Sequence, residues 1–122
     1  MTNKEPNGGK TATTYEYMKM NLNPEICGCI ISVFNKRNGK EYDFDSHEFI
    51  SVLKLAYPRT YYCGLLSYMS DLDIEEAHHQ LHSEIGRYLS VNSEALNIRS
   101  VGKHISPNYK GADTMNEMWK KI

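Results

Sequence analysis

The chain has 122 residues, 40% of them apolar and 24% charged, enough for one hydrophobic core and too few for two domains of ordinary size. Fourteen basic against fifteen acidic side chains give a net charge of -1, which excludes a global field drawing the protein to nucleic acid or an anionic membrane. No apolar run approaches the roughly twenty residues of a membrane span, the polar start lacks the apolar stretch of a signal peptide, and three cysteines, an odd number, argue for reduced thiols, so a cytoplasmic location without a membrane partner is expected.

Residues 1–12 are polar and rich in Asn, Lys and Gly, and are expected to form a disordered tail ahead of a single helical domain over residues 13–122. Residues 13–21 suit a strand or a helix equally. Asn23, Pro24 and Glu25 read as the start of a helix, with Gly39 as its C-terminal stop, although Asn38-Gly39 could instead turn a hairpin into residues 40–44. Asp45 with Glu48 makes a capping box before Phe49, Ile50, Val52, Leu53 and Ala56, which recur at helical spacing until Pro58. Pro58 then opens a helix with Tyr61, Tyr62, Leu65, Leu66 and Met69 as its stripe.

Residues 72–91 form the pattern around which the remainder is expected to pack. Ile74, Ala77, Leu81, Ile85, Tyr88 and Leu89 fall on one helical stripe, with Asp73 and Glu76 as a second capping box. Beyond it, residues 95–101 alternate weakly, residues 102–112 read as a loop, and Asp113 caps a short helix carrying Met115, Met118, Trp119 and Ile122. The expected fold is mainly α: a small bundle of four or five helices, with at most a short strand or hairpin near residues 40–44 and 95–101.

Three constellations bear on chemistry. Glu75, His78, His79 and His82 stand at one-turn spacings that could offer two ligands to one metal ion, but a bundle site needs a second such motif, and His47-Glu48 does not supply one. Cys27 and Cys29 lie in an apolar run and Cys63 on a helix, the places of inert buried thiols, and neither a G-x-S-x-G elbow nor a phosphate-cradling glycine loop occurs. The chain is therefore expected to be no enzyme and to need no cofactor.

The third constellation is basic. Residues 45–70 have the length of a helix-turn-helix with a turn of about four residues, and Arg59 and Thr60 would sit at the reading end of its second helix, although that helix otherwise looks like a core helix. Residues 97–122 hold five cations, Arg99, Lys103, Lys110, Lys120 and Lys121, against two acids, whereas residues 71–94 hold six acids against Arg87 alone. With His104 and Tyr109 these cations could track a phosphate backbone and stack on a base. The expected function is a non-enzymatic binding module for nucleic acid through this set, with a protein-interaction or homodimeric adaptor as the alternative and a metal-dependent enzyme last.

Overall fold

The computed structural model describes residues 22–122, so the tail and the undecided residues 13–21 lie outside the described residues. In order, the elements are α1 (Pro24–Ile31), β1 (Phe44–Asp45), α2 (Ser46–Ala56), α3 (Pro58–Met69), α4 (Ile74–Val91), β2 (Ile98–Pro107) and β3 (Asp113–Lys121). The strands form one antiparallel sheet in the order β1-β3-β2, with Phe44 opposite Trp119 and Asp45 opposite Met118. Among the described residues, four helices and a three-stranded sheet make a mixed α/β fold, which corrects the expected helical bundle.

Helix starts follow the local signals. Asn23 accepts from the Ile26 N–H at 2.8 Å, Asp45 and Glu48 close both halves of their capping box, and Asp73 accepts from the Glu76 N–H. The first helix stops at Ile31 and not at Gly39; Gly39, with φ +78°, belongs to a separate turn in which the Lys40 N–H donates to the Arg37 carbonyl. The supposed four-residue turn before α3 is the single residue Tyr57.

The largest departure lies at the C-terminal end, where the expected loop and short helix are a β-hairpin. Gly102, with φ +121°, sits at a bulge in β2, and Pro107 closes that strand without interrupting it. The tip is held by Asn108, whose side chain accepts from the N–H groups of Lys110 and Ala112. Helical spacing of Met115, Met118 and Trp119 is outweighed because β3, pairing on both edges, is the centre strand of the sheet.

One core cluster joins all these elements: Cys27, Ile30 and Ile31 from α1, Phe44, Phe49, Ile50 and Leu53, Tyr61, Leu65 and Tyr68, Ala77, Leu81, Ile85 and Leu89, with Ile98 and Trp119 from the hairpin. Ile74, expected in the α4 stripe, is 47% exposed. Leu81 is buried in this cluster, so Leu81→Ala should cost about 2 to 5 kcal/mol in denaturant melts, the range for truncating a buried leucine. A loss under about 1 kcal/mol would place the core elsewhere.

Candidate functional site

Three consecutive residues at the start of α2 bind the hairpin. The Asp45 carboxylate meets His104 Nε2 at 2.8 Å, Ser46 Oγ accepts from the Trp119 indole N–H at 3.1 Å, and the His47 N–H donates to Asn116 Oδ1 at 3.0 Å. The His47 ring is fixed between Ser106 Oγ, at 2.8 Å from Nδ1, and Thr114 Oγ1, at 3.3 Å from Nε2, and burial holds its pKa below the ordinary histidine range. Two residues before Asp45, Asp43 accepts from the N–H groups of Arg37 and Lys121, both at 2.7 Å, and from Lys120 Nζ at 3.4 Å. Burial raises this carboxyl's pKa, but the two backbone donors and the Lys120 ammonium outweigh it and hold the group below the usual carboxylate range.

The hairpin tip folds onto α4. Tyr109 stacks on His78, ring centroids 4.3 Å apart, and meets His82 edge-on, while Lys110 Nζ lies 3.2 Å from Glu75. His82 Nε2 is 2.7 Å from the Tyr61 hydroxyl. A cleft of about 580 Å³ runs between hairpin and helices, lined among others by His47, Ile50, His79, His82, Tyr109 and Asn116.

Burial, with smaller contributions from neighbouring cationic groups led by His78, lowers the His82 pKa to about 4, so the ring is neutral at pH 7. The unfolded chain takes up this proton near the ordinary histidine value of about 6.5, and the folded chain only near 4. Stability should therefore fall as the pH drops through that window, by about 3 kcal/mol from His82 alone. Urea melts of the parent and His82→Gln at pH 7 and about pH 4.5 isolate this contribution, and an equal pH effect in both would refute it.

These contacts place most of the sequence-derived basic set in roles within the fold. Lys120 pairs with Asp43, Lys121 Nζ donates to the Phe34 carbonyl, Lys110 pairs with Glu75, His104 with Asp45, and Tyr109 lies on His78. The Lys110–Glu75 contact joins the basic loop to the acidic helix α4. Among the described residues Arg59, Arg99 and Lys103 are exposed and form no ion pair, and Thr60 is half-buried.

The histidine motif keeps its helical spacing, but His78 Nδ1 donates to the Ile74 carbonyl and His82 Nε2 meets Tyr61. Among the described residues no group of three or more His, Cys, Asp or Glu side chains is placed to hold a metal ion. Cys27 is buried, and desolvation pushes its thiol up to about 12; Cys63 is exposed, and so is Cys29, which corrects the burial expected of the apolar run.

A surface that the sequence reading missed lies on α3. Tyr61, Leu65 and Tyr68, with Gly64, face the core, whereas Tyr62, Leu66 and Met69, assigned to the same stripe, point outward. Leu66 is 65% exposed, and Leu55 at the end of α2 is 85% exposed. Leu55 and Tyr62 line one shallow depression of about 630 Å³ with Pro58 and Lys54. The signal was present in the sequence: Pro58–Met69 carries one charge, Arg59, so the helix has no charged face to set against water.

Compared with known proteins, the chain matches no family model, no curated protein and no solved structure. Among the described residues no helix is long and apolar enough to cross a membrane.

Proposed function

We propose that this chain is a protein-interaction module whose contact surface is the outward face of α3, Tyr62, Leu66 and Met69, extended by Leu55. The carrying observation is an apolar strip, rather than scattered single residues, left open on a helix whose opposite face is already in the core. Its rim is polar, with Arg59 at one end and Ser70 and Asp71 at the other. The nucleic-acid reading has less support, because Lys110 and Lys120 are in ion pairs and Lys121 is tied to the Phe34 carbonyl, which leaves Arg59, Arg99 and Lys103 as its unpaired cations.

Leu66→Asp tests the reading. The exposed position makes a stability change within about 0.5 kcal/mol the expected result, so the variant stays folded. A tagged parent, cross-linked in its own host cells, should retain a partner chain that the Leu66→Asp variant loses. Recovery of the same partners with both would overturn the proposal. Titration with short oligonucleotides should show nothing tighter than about 10⁻⁴ M at physiological salt. Tighter binding that weakens on Arg59→Ala, Arg99→Ala or Lys103→Ala would move the function to nucleic acid.

A further inference from the structure

We propose that the occupant of the α3 face is a second copy of this chain, docked antiparallel, α3 against α3, across a two-fold axis between Tyr62 and Leu66. The inference rests on the reading of that face as a contact surface and names its partner.

Charge sets the orientation. The one charge on α3, Arg59, sits in its first turn, and α3 contains no acid. Asp71 follows the last turn, exposed and with no ion pair among the described residues; Asp73 caps α4 and is engaged there. An antiparallel pair of helices, each about 18 Å long, carries each Arg59 to the end where the partner copy presents Asp71 and the negative end of its helix dipole. A parallel pair would set the two Arg59 side chains side by side, with nothing opposite Asp71.

Packing agrees with this orientation. Arg59, Tyr62, Leu66 and Met69 recur at the three-and-four spacing of one helical strip, and Tyr62 and Leu66 are equidistant from its midpoint. A two-fold axis there lays Tyr62 of each copy on Leu66 of the other, so that one patch serves both sides as an isologous interface requires. Leu55 extends the same patch. Cys63, exposed and near the midpoint, falls on the same side of the seam in both copies.

Sedimentation velocity over about 1 to 100 μM should show a monomer–dimer equilibrium that Leu66→Asp abolishes. Arg59→Glu should weaken the dimer by about tenfold, and adding Asp71→Arg should restore it. In a Cys29→Ser background a short bis-maleimide should link two chains through Cys63, and Cys63→Ser should end the reaction. A parent monomeric at the highest concentration, a dimer indifferent to Leu66→Asp, or a charge swap without rescue would overturn the proposal. If the parent is monomeric while the cross-linked partner still depends on Leu66, the contact surface stands and only its occupant is wrong; if neither depends on Leu66, the surface itself is refuted.

Discussion

Asp43→Ala is expected to cost about 3 to 5 kcal/mol, the penalty for breaking a buried, paired charge. Asp43 is 0% exposed, and its two oxygens receive the backbone N–H groups of Arg37 and Lys121 together with the Lys120 ammonium. Removing the carboxylate leaves two backbone donors and a lysine without their acceptor. Asp43→Asn keeps the shape but turns an amide NH₂ toward one of those donors, so it should recover only part of the loss. The pH dependence follows from the lowered carboxyl pKa. The contribution is complete above the unfolded carboxylate value of about 4 and is lost as the pH falls through the lower folded value. Urea melts of the three proteins at neutral and acid pH measure all of this, and a loss under about 1 kcal/mol at neutral pH for Asp43→Ala would show that the clasp does not hold the sheet to the segment before β1.

Asp43 also marks the limit of what the sequence discloses. The helix starts at Asn23, Asp45 and Asp73 were legible because each capping bond closes within three residues. The bonds of Asp43 to Lys120 and Lys121 and the ladder from Phe44 to Trp119 span most of the chain, and nothing local to either partner announces the other. The hairpin was missed for a related reason. Met115, Met118 and Trp119 satisfy a helical spacing over too few residues to exclude a strand, while Gly102 and Pro107, read as loop residues, are the bulge and the end of β2.

The candidate contact surface was half legible. The sequence reading assigned Tyr61, Tyr62, Leu65, Leu66 and Met69 to one stripe and passed over Tyr68, but two interleaved sets, Tyr61-Leu65-Tyr68 and Tyr62-Leu66-Met69, fit the same period, and only packing against α2 and α4 decides which one is buried. The basic set failed differently. A count of charges along the chain cannot show that Lys120 and Lys110 are opposite Asp43 and Glu75, which lie far away in sequence. Of these two pairs only Lys110–Glu75 joins the basic segment to the acidic one.

Trp119→Ala should be as damaging as loss of Asp43, at about 3 to 5 kcal/mol. Trp119 is among the largest fully buried side chains, and it sits on the central strand opposite Phe44, so its ring joins the hairpin to the helical core. Its indole N–H also donates to Ser46 Oγ, the middle contact between Asp45–His104 and His47–Asn116. Trp119→Phe separates the two roles. It keeps much of the aromatic volume and loses the hydrogen bond, whose net worth is about 0.5 to 1.5 kcal/mol, together with part of the ring packing. The alanine variant should release the hairpin from α2, so the amide protons of β2 should exchange sooner than those of α3 and α4, whereas the parent should protect both sets together. Equal protection of hairpin and helices in a destabilised Trp119→Ala would mean that the polar contacts at Asp45 and His47 suffice to hold the hairpin, and would relocate the anchor from the indole to the start of α2.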